Sequence, residues 1–324
     1  MKKALVVFLL VILVATGAFA QTAIIGQAQI HSGLNMPFNE PFSMDDANWV
    51  ANFLHAHTFL QVVRRGENTM GMLRFTANGQ WRGFGRVTVA DVVDLEIGQI
   101  ELPWQHLSSN WLFSQHNLGI GSASSTLNPF FLFRTHGFYA GISEAGIFNN
   151  ATVESRMSPG FFLGYAMPLD MMNLHFAFAG RAAPDVFSFM GTAQARAIDL
   201  GPVFLGVNAT IYMNPEFGFF LVSAVPGPAP FASLTRRTSD DNIFVLECLV
   251  DIRLPLNFGA ASLTLGGVTN FAADHDGFGL QVGLAMNIPL AGSFSIMPGL
   301  QYQTIINSDA RDTLLIGATL RYSF

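Results

Sequence analysis

From residue 278 onward, apolar and polar positions alternate one for one. Phe278, Leu280, Val282, Leu284, Met286 and Ile288 interleave with Gly279, Gln281, Gly283, Ala285 and Asn287. Successive side chains of an extended chain point to opposite faces, so this period of 2 predicts a strand with one apolar face and one small or polar face. The rhythm recurs upstream and downstream. In SFSIMPGLQYQ, Phe294, Ile296, Leu300 and Tyr302 oppose Ser293, Ser295, Gly299, Gln301 and Gln303. In PVFLGVNATIYM, Val203, Leu205, Val207, Ala209 and Ile211 oppose Gly206, Asn208, Thr210 and Tyr212. In NLHFAFAGR and FSFMGTAQAR the phenylalanines oppose Asn173, His175, Arg181, Ser188, Thr192, Gln194 and Arg196. In DTLLIGATLRYSF, Leu314, Ile316, Ala318, Leu320, Tyr322 and Phe324 share a face opposite Thr313, Gly317, Thr319, Arg321 and Ser323.

These predicted strands run to about 10 to 12 residues, where strands of globular proteins have a mode near 5 to 6. A soluble sandwich also alternates, but its outer face is rich in charged residues and its inner face in large aliphatics. Here the polar face is glycine, serine, glutamine and asparagine with a few charges, and the apolar face carries phenylalanine. That length and chemistry suit a strand crossing a bilayer at a tilt, lipid on one side and a polar lumen on the other. A helical span needs roughly 20 predominantly apolar residues in a row, and no such run follows residue 20.

Turn chemistry supports the same reading. Tight connections MPLDMMN, RLPLNF and NIPLAGS, with AIDLG and PGPAP, fall on one side; looser links INSDARDT, TNFAADHDG, RRTSDDN, YMNPEF, GRAAPDV and ISEAGIFNNATVESRMSP fall on the other. In the N-terminal third, strands are expected near residues 22–31, 53–63, 68–77, 82–90 and 93–102, with a loop from Gly33 to Asn48. Residues 103–127 read as one more strand or as a loop folding into the lumen. The fold expectation is therefore all-β: a transmembrane antiparallel up-and-down β-barrel of about 16 strands, 14 to 18 being compatible, and an even number for one closed sheet.

Composition sharpens this. The chain is 324 residues long, half hydrophobic and only 12% charged, where soluble domains carry roughly 25% charged residues. Its first 20 residues hold Lys2 and Lys3, an apolar run from Ala4 to Ala15, and Ala18-Phe19-Ala20 before Gln21. That is the order of a secretory signal peptide cut after Ala20, with Ala18 and Ala20 forming the small-residue site. The expected organisation is a signal peptide at 1–20 and one barrel domain at 21–324. Both lysines lie in the leader, leaving 14 arginines against 22 acidic residues and a formal charge of −8. Such a balance argues against nucleic acid as a partner.

The terminal LRYSF, with Leu320, Tyr322 and Phe324 at alternate positions, resembles the C-terminal signature of bacterial outer-membrane β-barrel proteins. By length the chain is porin-like within that group, though no motif fixes a subfamily. The resemblance implies an outer-membrane location, contact with outer-membrane lipid, handling of Leu320, Tyr322 and Phe324 by the barrel-assembly machinery, and a homotrimer as an assembly.

Function in such a fold must come from the lumen and loops. Alternation turns Arg74, Arg86, Arg134, Arg181, Arg196, Glu247, Asp251, Arg253 and Arg321 inward as pore-lining candidates. Fixed charges of both signs across a pore order water and bias which solutes pass. The lone Cys248 shares a face with Phe244, Leu246, Val250 and Ile252 and reads as a lipid-facing spectator, with no intrachain disulfide available. His55 and His57 read as solvated lumen histidines rather than metal ligands, and Asp240-Asp241, Asp274-His275-Asp276 and Asp309 to Asp312 as hydrated loop tips. GIGSAS at Gly119 lacks the lysine and helix of a phosphate loop. No cofactor and no metal are expected. The expected function is a channel for passive diffusion of small hydrophilic solutes, not an enzyme. A non-conducting surface barrel, acting as an adhesin or structural protein, is the alternative, and an outer-membrane hydrolase the remaining one, without a G-x-S-x-G motif to support it.

Overall fold

The computed structural model describes residues 21–38, 47–53, 58–77, 81–98, 129–143, 160–182, 187–213, 244–271, 277–306 and 312–324. Every regular element among them is a strand: β1 (Gln21–Phe38), β2 (Asn48–Phe53), β3 (Phe59–Arg65), β4 (Thr69–Thr76), β5 (Trp81–Val89), β6 (Val93–Gly98), β7 (Pro129–Thr135), β8 (Phe138–Ser143), β9 (Gly160–Leu169), β10 (Met172–Ala182), β11 (Phe187–Asp199), β12 (Phe204–Met213), β13 (Phe244–Leu256), β14 (Gly259–Asn270), β15 (Phe278–Pro289), β16 (Phe294–Ile306) and β17 (Asp312–Ser323). Apart from β2 and β3, which both pair with β1, consecutive strands pair antiparallel, and β1 pairs with β17, closing one sheet on itself. The outer half of β1 pairs with β2 and its inner half with β3, so those two segments share one position and the barrel has 16 staves.

Closure is what the backbone chemistry demands. An unpaired N–H or C=O in hydrocarbon costs several kcal/mol, and only a sheet without edges avoids this. The seam shows how the last stave meets the first. Gln27 to Phe38 run opposite Ser323 to Asp312, and beyond them Gly26 and Phe324 exchange both backbone hydrogen bonds at 2.8 and 3.0 Å. The Phe324 ring lies over Gly26, where a Cβ would collide with it.

Three expectations are corrected. The first strand does not stop near residue 31 and give way to a loop at Gly33. It continues to Phe38 because the outer half of β17 needs a partner, supplied by Leu34 opposite Ile316 and Met36 opposite Leu314. The strand expected at 53–63 is instead the β2 and β3 pair, with residues 54–57, which include His55 and His57, outside the described residues. The tight turn expected at PGPAP does not separate two staves, because β12 hydrogen-bonds directly to β13 from Phe204↔Arg253 to Met213↔Phe244. Residues 214–243 lie outside the described residues, as do 103–127.

Short connections sit at the end holding Phe324. His136-Gly137 turns β7 into β8 with both residues at positive φ, 45° and 83°, the two-residue hairpin geometry whose twist matches that of the strands it joins. Asp170-Met171, Asn257-Phe258 and the PLAG turn at Pro289 close the same rim, where the sequence expected them.

Candidate functional site: the lumen wall

Along β13 the exposed and buried residues alternate: Phe244 and Cys248 are exposed, while Val245, Glu247, Leu249 and Asp251 are buried. In a closed sheet the exposed apolar set is the outside and the buried set faces the lumen. The outside carries Phe161, Leu163, Phe176, Ile211, Leu265, Val282, Leu284 and Leu300 among many others. Aromatic residues gather at both rims. Phe161, Phe178, Phe189 and Phe244 form a chain with centroid distances of 6.0, 5.7 and 6.4 Å near the loop end. Phe294, Tyr322 and Phe324 form another at the turn end, at 4.5 and 5.7 Å. An apolar band between two aromatic girdles is the outer surface of a transmembrane barrel.

The lumen face is polar and organised in clusters. On β5, β6 and β7, the fully buried Glu96 carboxylate holds two guanidiniums. Arg86 donates from Nε at 2.8 Å with Nη2 at 2.6 Å, and Arg134 places Nε at 3.0 Å and donates from Nη2 at 3.4 Å. Asp94 accepts from the Thr88 hydroxyl at 2.7 Å and stands 3.8 Å from Arg86 Nη1. On β4, Arg74 donates from Nε to Gln61 at 2.8 Å and lies 4.4 Å from the centroid of the Phe59 ring, which helps to anchor its charge.

Arg134 leads on to β8. Its guanidinium stands 6.0 Å from the Tyr139 ring centroid, and the Tyr139 oxygen lies 2.8 Å from His175 Nε2 on β10. That reach crosses β9 at Gly164, directly opposite Tyr139, where a side chain would run into the phenol. A cavity of about 320 Å³ opens beside this group, bounded by Asp94, Arg134, His136, Tyr139 and Ala166. Further round, Thr192 donates to Asn208 at 3.0 Å, Asn208 to Thr210 at 3.1 Å, and Thr210 back to Thr192 at 3.0 Å. Arg253 donates to Asp251 at 2.7 Å. On β15 and β16, Gln303 donates to Gln281 at 2.9 Å. At the seam, Gln29 accepts from Arg321 Nε at 2.8 Å once its amide is oriented with the oxygen toward the guanidinium, the orientation that satisfies both groups.

Solved structures resemble this architecture over nearly its whole length. An anion-selective porin from Comamonas acidovorans matches with a TM-score of 0.61 at 12% identity, covering 94% of this chain and 100% of its own. The fold is that of the bacterial outer-membrane porins. The outer membrane channel DcaP of Acinetobacter baumannii aligns with a TM-score of 0.61 at 10% identity over 94% of this chain and 98% of that one. OmpT, an outer-membrane protein of Vibrio cholerae, gives 0.59 at 10% identity over 95% and 99%. No family model and no curated protein sequence matches the chain.

On this porin fold, Arg74, Arg86, Arg134, Arg196, Glu247, Asp251, Arg253 and Arg321 all take inward register positions. Arg181 takes one by backbone register, opposite Ser188 and Gly160, its side chain lying outside the described residues. Arg86 and Arg134 meet on one carboxylate, Asp251 meets Arg253, and Arg74 and Arg321 each hold a glutamine. Leu320, Tyr322 and Phe324 lie outward and are exposed. Ala18 and Ala20 fall outside the described residues.

Sequence reasoning passed over Glu96, Tyr139 and His175. Glu96 was legible, since Leu95 and Ile97 flank it on the exposed face and an acid between two lipid-facing residues must point inward. The Tyr139–His175 contact was not, because it joins residues 36 apart through a stave that only pairing identifies. The inward face also holds apolar residues that alternation alone did not flag as buried. Leu132 on β7, and Val245, Leu249 and Val268 on β13 and β14, are fully covered, so the wall at those places is packed rather than washed by water.

Proposed function

We propose that residues 21–324 form, after removal of the leader at Ala20, a single outer-membrane channel for passive diffusion of small hydrophilic solutes. The observation that carries this reading is the chemistry of the inward face. Five arginines there are held by Glu96, Asp251, Gln61 or Gln29 on a ring of 16 staves, a size that leaves room for an aqueous passage. Packing does not need such groups; taking charges from water is costly, and a lumen that excluded water would be cheaper to build from apolar side chains. Held in fixed positions, they act on whatever crosses the lumen. No catalytic step is part of this reading. Lipid touches the outer band, the barrel-assembly machinery reads Leu320, Tyr322 and Phe324, and three copies associate as the porin likeness suggests.

Single-channel recording of the refolded protein in a planar bilayer tests it. Discrete steps of stable size are expected, with ion preference moving toward cations in Arg181→Ala and Arg253→Ala. A correctly folded barrel that stays silent would favour a second reading, a non-conducting surface barrel, which the fully covered Leu132, Val245, Leu249 and Val268 on the lumen side support.

A further inference from the structure

Arg196 stands apart from the other inward arginines whose side chains are described. Arg74, Arg86, Arg134, Arg253 and Arg321 each have an acceptor from a glutamine or a carboxylate. On Arg196, Nε and Nη2 are both buried and both without a hydrogen-bond partner. Those two nitrogens form one edge of the guanidinium, the fork whose parallel N–H bonds match the two oxygens of a carboxylate or phosphate group. The charged group acting on Arg196 is another arginine, Arg253, whose own Nε is taken up by Asp251.

The backbone is arranged around this side chain. Register shifts between Ala195 and Ile198, so Arg196 and Ala197 together oppose the single residue Gly206 of β12. Ala197 sits at φ 52°, in the left-handed region that residues with a Cβ rarely adopt. A bulge of this kind re-aims the neighbouring side chain and is held only where the surrounding sheet enforces it. Opposite the bulge, Gly206 contributes no side chain, so β12 is bare on the lumen side between Arg196 and Asp251, while Phe204 stands opposite Arg253.

We propose that Arg196, backed by Arg253, is an oxyanion subsite in the lumen wall that takes the carboxylate or phosphate group of a small solute side-on through Nε and Nη2. The proposal rests on the channel reading and deepens it, naming anionic metabolite-sized solutes as the class the wall holds. The subsite is separate from the Arg86–Glu96–Arg134 cluster, which spends its charge on its own carboxylate.

Two measurements on the refolded full-length barrel test it. Calorimetric titration with succinate and, separately, with inorganic phosphate reads the site without needing conductance. Saturable binding is expected, weakened about tenfold or more in Arg196→Gln, and weakened also in Arg196→Lys, which keeps the charge but loses the fork. Heat-modifiable gel mobility checks that each variant is folded. Chloride conductance in a bilayer, titrated with the same anions, is expected to fall saturably in the native protein and less in both variants. If neither anion binds, or if both variants bind as the native barrel does, the subsite is overturned even where conductance steps persist. If binding depends on Arg196 but no steps appear, the subsite stands and the channel reading falls. Preference for succinate over phosphate, or the reverse, identifies which oxyanion the fork accepts.

Discussion

At Glu96 two guanidiniums converge on one carboxylate. Its side chain is fully buried, and both Arg86 and Arg134 point at it while keeping about a quarter to a third of their own surface exposed. Removing the carboxylate leaves two like charges facing each other across β6. Breaking a buried pair costs about 3–5 kcal/mol, and the partial exposure of both arginines brings the expectation for Glu96→Gln to about 2–3 kcal/mol. Urea unfolding of the barrel in lipid vesicles, followed by tryptophan fluorescence, checks this, and a loss under about 0.5 kcal/mol would mean that the cluster contributes little to stability. The same variant should conduct anions relatively better, since the lumen gains one uncompensated positive charge. At this scale alternation alone assigns each arginine a face of its strand, because a charge between two lipid-facing residues has only one tolerable direction. Which acceptor each arginine finds was not legible, since the partners lie on other staves.

At the scale of the element, the seam between β1 and β17 decides whether a barrel exists at all. Its turn end rests on Gly26, whose backbone pairs with that of Phe324 and whose bare Cα lets the Phe324 ring lie flat across the joint. Gly26→Val places a branched side chain where the ring sits, and the ring cannot move inward through the sheet. Closure should then be slower and the closed form less stable by about 1–3 kcal/mol. A smaller heat-resistant, fast-migrating fraction on unheated gels, relative to the native chain refolded in parallel, is the expected result. Equal fractions would show that the ring's position is incidental to closure. The alternation of the last strand announced its outward phenylalanine. Closure of an up-and-down barrel implied the first stave as its partner, but not that this stave runs on to Phe38.

For the whole molecule, the decisive question is which side of the sheet meets lipid. Cys248 is the sole cysteine and is exposed on the outward face of β13. It therefore reports that side without any added label site. In bilayer-reconstituted protein, Cys248 should react with a lipid-soluble maleimide and resist a membrane-impermeant sulfonated thiol reagent, then become open to both once the barrel is unfolded. Rapid reaction with the impermeant reagent in the intact bilayer would turn the sheet inside out and with it every lumen assignment.

What the sequence determined by itself is the local rule: period 2, one face for hydrocarbon and the other for polar groups, turns of alternating length, and no apolar run long enough for a helix. These are short-range consequences of side-chain geometry and solvent, so neighbouring residues suffice to state them. What only the tertiary structure decided is everything that depends on which stave lies beside which. That includes the choice of 16 within the expected 14 to 18, where β2 and β3 share one position and β12 meets β13 directly, the two arginines on Glu96, the Tyr139–His175 bridge over Gly164, and the bulge at Arg196 and Ala197. Strand pairing is set by closure of the whole ring, a constraint that no single stretch of sequence carries.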